Sequence, residues 1–497
     1  MDKKKYISEK YQLFIGGEWV DAEGGKTLDT FCPADGEYLA SIADASAADV
    51  DKAVKAAEKA FETWKDTSPI ERGIILNKIA DIMEENMERL CMIETIDNGK
   101  AYRENFTFDI PCSIDHFRYF AGVVRTEEGK AAMLDKDNMN IILREPLGVV
   151  GQIVPWNFPM LMAAWKISPA LATGNTIVFK PSSETSLSVL ELAKLIQGIV
   201  PPGVFNIVTG RGGTTGNYIL EHPGFKKLAF TGSTEVGYKV ARASADKLIP
   251  STLELGGKSP DIFFPDIKES LWDKALEGCA SGILWNSGQV CCAGSRAIVH
   301  KDIYDEFLEA LKKKFEATKF GIPWEDGVQV GAIVSESQMK KVLGYIDVGK
   351  SEARLVTGGY RLTDNGLDKG YFIAPTIFAD VDRKARIAQE EIFGPVLVVI
   401  KANDIDDAIS IANDSDYGLG GAVWSQNINV AMRVAREVHT GTMWINQYGS
   451  TPAHTPFGGY KKSGLGRETH LSMIDHYSNI KSIQINFPEN VAGTFPG

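Results

Sequence analysis

Short apolar runs alternate with amphipathic stretches along most of this sequence. Residues 148–154 form a β-rich run, whereas residues 47–64 place apolar side chains such as Val54 and Ala57 at helical spacing. Residues 71–97 have the same helical pattern and are predicted to form one continuous helix. Because repeated strand–helix alternation is typical of βαβ units, we predict an α/β fold built on a largely parallel sheet.

The alternation occurs twice, with a break near Gly256 and Gly257. A chain of 497 residues exceeds the roughly 250–300 residues that one hydrophobic core supports. We therefore predict two α/β halves that meet near these glycines. Two further β-like segments, 138–143 and 480–486, lie outside the alternation, and the second could pair with the edge of another chain.

The charge and the apolar runs exclude two classes of partner. The net charge of −12 argues against nucleic acid, although a local basic patch could still bind a small phosphate-bearing ligand. The basic N-terminus has no apolar stretch behind it, so we expect no secretory signal. The uncharged run 147–165 has nearly the length of a membrane span, but Gln152, Pro155, Asn157 and Pro159 interrupt it. We therefore expect no membrane partner.

The six cysteines are scattered, and none belongs to a CxxC or Cys/His cluster with metal-ligand spacing. We therefore predict no metal site. Most of these thiols are expected to be buried and reduced, as in a cytoplasmic protein. The adjacent pair Cys291 and Cys292 stands in a different setting.

The most informative segment is the glycine-rich string 286–296, which contains Cys291. A thiol in such a loop is more accessible than a core cysteine, and reactivity requires this access together with a lowered pKa or a nearby base. An isolated string of this kind would more often be a free thiol in a tight turn.

Two other strings contain side chains suited to catalysis. Glu254 lies between Leu253 and Leu255 and before two glycines, and such a carboxylate could enter a cleft as a general base. The string alone is more typical of a surface glutamate at a strand end. Asn157 lies in the proline-locked turn 155–159, where its amide could stabilise an oxyanion or only bond the turn backbone.

Taken together, these strings resemble the motifs of the NAD(P)-dependent aldehyde dehydrogenase superfamily, in its hydrolytic type that does not acylate coenzyme A. The matching strings occur in the family's order and at about its spacing: 155–159, 230–237, 253–260, 286–296, 391–395 and 456–468. The resemblance covers nearly the whole chain, from about Phe14 to Ile485.

The resemblance also implies a division of the chain. A Rossmann-type cofactor domain would comprise residues 1–128 and 146–256, and an α/β catalytic domain residues 257–467. Residues 129–145 and 479–495 would form a β oligomerisation arm of a homodimer or homotetramer.

In the family's mechanism, Cys291 would attack the aldehyde and form first a thiohemiacetal and then a thioester. The Asn157 side chain and the backbone N–H of Cys291 would hold the oxyanion. Glu254 would activate the water that hydrolyses the thioester. Acyl-CoA-forming relatives typically lack this glutamate, so its presence favours release of a carboxylic acid.

The resemblance implies NAD as the cofactor, with NADP as an alternative. NAD-preferring members commonly carry glutamate three residues after Lys180, where this chain has Ser183, with Glu184 one residue further on. Use of both cofactors is therefore a hypothesis. Lys180 would contact the adenosine ribose, and the string 230–237 would contact phosphate although it lacks the usual GxGxxG fingerprint. The implied cofactor-binding residues are Pro155, Trp156, Lys180, Ser183, Gly232, Ser233, Glu391 and Phe393.

The positions that would line the substrate tunnel are apolar or sulfur-bearing, with one threonine: Phe158, Met162, Trp165, Trp285, Val290, Cys292, Thr451 and Phe457. They include no arginine, which favours an uncharged or broad-range aliphatic or aromatic aldehyde over one that carries a carboxylate. Four aromatic residues could instead form a cation–π box, so betaine aldehyde or an aminoaldehyde is the alternative substrate. A third hypothesis is a non-catalytic, structural member of the family.

Overall fold

The computed structural model describes residues 1–488 and contains two large sheets. The first has eight strands, and its five central strands are parallel. In spatial order the strands are Gly464–Leu465, Ser251–Glu254, Lys227–Thr231, Val149–Ile153, Thr176–Lys180, Phe205–Ile207, Leu13–Ile15 and Glu18–Val20. In chain order the central five run 5-4-1-2-3 across the sheet, which is the order of a doubly wound, Rossmann-type sheet.

The chain order of this sheet reverses between Val149–Ile153 and Lys227–Thr231. Ligands of doubly wound sheets bind in the crevice outside the carboxyl ends of the strands at such a switch point. The first strand leads into the turn at Pro155, and the second leads into Gly232 and Ser233. The topology therefore brings two of the predicted motifs to the same edge of the sheet.

The second large sheet has seven strands, all parallel to their neighbours except one antiparallel edge strand. In spatial order they are Arg354–Thr357, Thr376–Ala379, Val396–Ala402, Arg296–His300, Pro260–Phe263, Gly420–Trp424 and Thr442–Ile445. All of these strands follow residue 256, as the second alternation predicts. One strand crosses the predicted division: Gly464–Leu465 pairs with Ser251–Glu254 of the first sheet. The assignment of whole domains stays a prediction.

Helices connect and cover these strands. Within residues 1–488 the α-helices are Ala47–Trp64, Pro69–Glu85, Met87–Asn98, Tyr102–Glu104, Ile110–Thr126, Pro159–Ala172, Leu187–Leu195, Asn217–Glu221, Thr234–Lys247, Trp272–Leu284, Tyr304–Ala317, Glu336–Glu352, Arg386–Gln389, Ile405–Asn413, Ile428–Glu437 and Met473–His476. The helix Ala47–Trp64 has the bounds that its apolar spacing predicts. Ser46 starts it with a reciprocal capping box, in which the Asp49 carboxylate accepts a hydrogen bond from the Ser46 backbone N–H at 2.9 Å. None of the described helices is both long and apolar enough to cross a membrane.

The prediction of one helix over residues 71–97 is wrong, because Asn86 divides it into Pro69–Glu85 and Met87–Asn98. Asn86 has φ −110° and ψ 17°, and its side-chain amide donates to the Ile82 carbonyl at 2.9 Å. An amide that bonds the preceding turn competes with helix continuation. The apolar spacing continues on both sides of Asn86, so the pattern alone does not reveal the break.

A third, three-stranded antiparallel sheet consists of Lys130–Met133, Asn138–Pro146 and Ser478–Asn486. The last strand pairs within its own chain, and nearly all of its residues are exposed. These strands coincide with the predicted arm, of which residues 489–495 lie outside the described part of the chain. Two small sheets complete the fold: Lys10–Tyr11, Tyr38–Ala43 and Thr27–Phe31 form one, and Tyr417–Gly418 and Tyr460–Lys461 the other.

Candidate active site

A cavity of about 560 Å³ lies at the switch point of the first sheet and extends to the cysteine loop. Cys291 and Asn157 both line it. All eight positions that the sequence assigns to the substrate tunnel line it as well: Phe158, Met162, Trp165, Trp285, Val290, Cys292, Thr451 and Phe457. The structure therefore brings the predicted nucleophile, the predicted oxyanion donor and the apolar positions to one place.

Unusual backbone conformations shape the loop that carries Cys291. Asn286 and Ser287 adopt the left-handed conformation, with φ 48° and 54°, one residue after the end of the helix Trp272–Leu284. Gly288 has φ 75°, and a Cβ atom there would lie 2.1 Å from the Gly394 carbonyl. Only glycine fits this position. The resulting turn presents the half-buried Cys291 to the cavity.

The environment of Cys291 favours the neutral thiol. A hydrogen bond with Cys292, burial and the nearby Glu254 carboxylate all raise the pKa of Cys291 well above its usual range. The sequence leaves two routes to a reactive cysteine open, a lowered thiol pKa and a nearby base. The first of these is not found in this arrangement. The thiolate has to form with the help of a base or a bound cation.

Asn157 holds the cysteine loop rather than its own turn. Its side-chain amide nitrogen donates to the Gln289 carbonyl at 2.9 Å, and its own carbonyl accepts from the Asn286 side chain at 2.8 Å. An amide nitrogen has two hydrogens, so one N–H remains for a ligand in the cavity. The oxyanion role of Asn157 stays a prediction that this geometry permits.

Glu254 ends the strand Ser251–Glu254 and is only 3% exposed, so the alternative of a surface glutamate is wrong. Neither of its carboxylate oxygens has a hydrogen-bond partner among the described residues. Burial raises its pKa well above the usual value, and the Glu468 carboxylate adds to this shift. The carboxyl group does not itself line the cavity, although the next residues, Leu255 and Gly256, do.

Most of the predicted cofactor residues line the same cavity: Pro155, Trp156, Gly232, Ser233, Glu391 and Phe393. The Trp156 and Phe393 rings meet edge to face with centroids 5.2 Å apart. Lys180 ends the neighbouring strand Thr176–Lys180 and Ser183 follows it, and neither residue lines the cavity. The predicted set therefore separates into a group at the cavity and a group farther along the sheet edge.

The site after the strand Lys227–Thr231 suits a dinucleotide phosphate. A Cβ atom on Gly232 would lie 2.6 Å from the Phe230 ring, so a larger residue would fill the cradle. Ser233 caps the helix Thr234–Lys247, whose first backbone amides point out of its N-terminus. Such a terminus favours an anion through its free N–H groups and its dipole. These residues fit the pyrophosphate of NAD or NADP.

The sequence reasoning missed several residues that hold the site together. Tyr448 lines the cavity and donates to the Cys292 carbonyl at 2.7 Å. Gln338 donates to the carbonyl of Phe393 at 2.8 Å and so supports that residue at its unusual φ of 63°. Both contacts join segments far apart in the chain, and no local pattern announces them. Only the unusual conformation of Asn286 has a local signal, because asparagine tolerates the left-handed conformation better than most residues.

Comparison with known proteins decides the family. The sequence model of the aldehyde dehydrogenase family matches residues 19–483. The chain belongs to the aldehyde dehydrogenase family. The α/β fold and the enzyme class that the motifs predict, an NAD(P)-dependent aldehyde dehydrogenase, are thereby confirmed.

Several relatives of this family member are similar over almost their full length. A Vibrio cholerae protein named aldehyde dehydrogenase is 45% identical over 495 residues, which are 99% of this chain and 97% of that protein. The structure of the NAD+ complex of a Bacillus cereus aldehyde dehydrogenase is 43% identical, with a TM-score of 0.94 and 98% of each chain covered. A Staphylococcus aureus betaine aldehyde dehydrogenase, solved with NAD+, is 36% identical, with a TM-score of 0.95 and coverage of 99% of this chain and 98% of that one.

Proposed function

We propose that this aldehyde dehydrogenase oxidises uncharged aliphatic or aromatic aldehydes to carboxylic acids with reduction of NAD(P)+. The observation that carries the proposal is the placement of Cys291 and Asn157 in one apolar cavity, with the buried Glu254 at its edge. The test is to add propanal and NAD+ to the purified protein and to follow both NADH and propanoate. A non-catalytic family member would form neither product.

The residues support the following roles. The Cys291 sulfur, once deprotonated, adds to the aldehyde carbon, and the new oxyanion accepts hydrogen bonds from the Asn157 side chain and the Cys291 backbone N–H. Bound NAD(P)+ supplies the hydride acceptor. A thioester then links the acyl group to Cys291. Glu254 takes a proton from water, the water oxygen bonds to the acyl carbon, and the sulfur leaves with release of the acid.

The cavity walls favour neutral substrates. The charged side chains on its lining are Lys341 and Glu391, and Glu391 is one of the residues predicted to hold the cofactor. We expect higher kcat/KM for propanal and benzaldehyde than for succinic semialdehyde, because burying an unpaired carboxylate is costly. Measuring NADH formation with the three aldehydes at equal concentration tests this, and a preference for the semialdehyde would contradict it.

Betaine aldehyde is the second candidate substrate, and one observation favours it: Trp165 and Phe457 meet edge to face at 5.2 Å on the cavity wall. Two other aromatic walls already face cations of the protein itself. The Lys100 ammonium lies 3.8 Å from the Phe158 ring centroid, and the Arg103 guanidinium lies 5.4 Å from that of Trp285. These two rings already contact cations of the protein and so offer less to a quaternary ammonium group, and we therefore rank the betaine-type substrate second.

We further propose that the enzyme uses both NAD and NADP. A carboxylate near the adenosine ribose would repel a 2′-phosphate. At the position implied to contact this ribose Ser183 has a hydroxyl, and the exposed Glu184 carboxylate lies one residue further on. The Ser183→Glu variant should lose about tenfold or more in kcat/KM for NADP, with NAD as the internal comparison. A wild-type preference for NAD beyond about a thousandfold, or about 4 kcal/mol, would contradict dual use.

The three-stranded sheet supports a homodimer or homotetramer. Ile480 and Ile483 are exposed on the strand Ser478–Asn486, and Leu143 is exposed on its neighbour. Exposed apolar side chains on an edge strand are suited to a second copy of the chain. Light scattering of the purified protein measures the molar mass and distinguishes monomer, dimer and tetramer.

A further inference from the structure

The loop that carries Cys291 begins with a turn that is unfavourable by itself. Two consecutive residues other than glycine, Asn286 and Ser287, have φ of 48° and 54° there. Side chains other than glycine rarely adopt this left-handed conformation, and it persists only where the surrounding structure fixes it. The turn therefore depends on contacts from other parts of the chain.

One of these contacts comes from Glu104, the last residue of the helix Tyr102–Glu104. Its Oε1 atom accepts a hydrogen bond from the Asn286 backbone N–H at 3.1 Å. The Glu104 side chain is fully buried, and its Oε2 atom has no hydrogen-bond partner within residues 1–488. The hydrogen bond of this carboxyl group thus goes to the first left-handed residue of the cysteine loop.

A carboxyl group at this position is costly to bury. Burial raises the pKa of Glu104 to about 8, although the nearby Lys100 and Arg103 cations favour its ionised form. The Arg103 Nη2 atom lies 3.9 Å from Glu104 Oε1. The hydrogen bond to Asn286, together with these two cations, offsets the cost of burial.

Asn286 connects the turn to the groups predicted to react. Its side-chain amide donates to the Asn157 carbonyl at 2.8 Å and to the Gln289 carbonyl at 3.3 Å. The Gln289 carbonyl also accepts from the Asn157 side chain at 2.9 Å, and Gln289 lies two residues before Cys291. A displacement of Asn286 would therefore reach both the predicted oxyanion donor and the predicted nucleophile.

The residue before Glu104 contacts the residue before Asn286. The Arg103 guanidinium lies 5.4 Å from the ring centroid of Trp285, and it donates to the Gln329 carbonyl at 3.0 and 2.8 Å. Trp285 lines the cavity. Two consecutive residues of the helix thus contact two consecutive residues at the start of the cysteine loop, so the helix and the loop are fixed to each other.

We propose that Glu104 is a positioning residue of this enzyme, whose hydrogen bond to Asn286 holds the left-handed turn that places Cys291 and Asn157 for attack on the aldehyde. The inference rests on the proposed roles of Cys291 and Asn157. Glu104 does not line the cavity, and it acts through Asn286 as a hydrogen-bond acceptor. None of the strings that carry the family resemblance includes it.

Three substitutions separate the hydrogen-bond acceptor from the carboxyl group. Glu104→Gln keeps an oxygen at the same reach, so its kcat with propanal should stay within about threefold of the wild type. Glu104→Asp keeps the carboxyl group but is one methylene too short to reach the Asn286 N–H, and Glu104→Met keeps the size without any acceptor. Both should lower kcat about tenfold to a hundredfold, because a small displacement of reacting groups is costly. The KM for propanal and the calorimetric affinity for NAD+ should change less than about threefold.

Hydrogen–deuterium exchange gives a second readout that needs no turnover. The peptide that covers residues 285–292 should exchange faster in Glu104→Asp and Glu104→Met, and at the wild-type rate in Glu104→Gln. Asp49→Ala is the matched control, since Asp49 is also buried and accepts from a backbone N–H, that of Glu23 at 3.1 and 3.0 Å, away from the cavity. It should keep the wild-type kcat even where it lowers thermal stability.

The outcomes distinguish this inference from the proposed function. Wild-type kcat in Glu104→Asp overturns the role of Glu104, and so does a loss in Glu104→Gln as large as that in Glu104→Asp. These two variants decide the question even if Glu104→Met does not fold. A wild type that does not oxidise propanal overturns the proposed function instead, and the exchange rates then still show whether Glu104 holds the turn. Loss of kcat in Glu104→Asp with recovery in Glu104→Gln supports the proposal.

Discussion

Replacing Cys291 by alanine should abolish aldehyde oxidation and leave cofactor binding intact. No thioester can form without the sulfur, and loss of a nucleophile typically lowers kcat by about 10⁴-fold or more. The side chain is small and half-buried, so its removal should leave the fold unchanged. The measurements are the rate of NADH formation with propanal and the calorimetric affinity for NAD+.

A second cysteine provides the control for this experiment. Cys112 is also half-buried but does not line the cavity, so Cys112→Ala should keep the wild-type turnover. Iodoacetamide should inactivate the wild type, and mass spectrometry should locate the label on Cys291. Wild-type turnover in Cys291→Ala would refute the role of the thiol.

Much of the fold could be predicted because the alternation of strands and helices is visible in short segments of the sequence. The helix Ala47–Trp64 follows from its apolar spacing and its capping box, and both signals lie within one segment. The 5-4-1-2-3 strand order does not follow from any one segment, since it depends on how distant strands pair. The return of Gly464–Leu465 to the first sheet is a pairing of this kind. The family resemblance implied a Rossmann-type sheet but did not predict this return, because it assigned residues 257–467 to the other domain.

The candidate active site likewise combines features that short sequence strings predict and features that they do not. Cys291, Asn157 and the apolar cavity walls come from short strings, and the structure brings them together as expected. The hydrogen bonds that orient these side chains cannot be predicted from such strings. The Gln289 carbonyl accepts from the Asn157 side chain, and the Tyr448 hydroxyl donates to the Cys292 carbonyl. These two contacts join residues that are 132 and 156 positions apart in the chain, so no local sequence pattern predicts them.

Burial and charge are the least predictable properties of the site. The glutamate string is more typical of a surface position, yet Glu254 is buried and neither of its carboxylate oxygens has a hydrogen-bond partner within residues 1–488. Its negative charge raises the pKa of Cys291. Two negative charges repel each other strongly in a low-dielectric site. A Cys291 thiolate and a Glu254 carboxylate therefore destabilise each other. Once the sulfur is acylated its charge is gone, and ionisation of Glu254 becomes easier at the step that needs a base.

Replacing Glu254 by glutamine should therefore separate the two halves of the reaction. Glutamine keeps the size of the side chain but cannot take a proton, so the thioester forms and then persists. We expect one rapid burst of NADH per active site, followed by a steady state that is slower by about 10²–10⁴-fold. Stopped-flow absorbance of NADH measures both phases, and mass spectrometry of the quenched protein should detect the acyl group on Cys291.

The pH dependence gives this prediction a second readout. Burial and the Glu468 carboxylate raise the pKa of Glu254, and only its deprotonated form is a base, so the steady-state rate of the wild type should rise with pH until the carboxyl group has ionised. That rise should disappear in Glu254→Gln, while the exposed-site control Glu309→Gln should keep it, since Glu309 lies on the surface of the helix Tyr304–Ala317. Loss of the burst itself in Glu254→Gln would mean that the glutamate acts before the thioester, as the base that activates Cys291, and would reverse the assignment made for it.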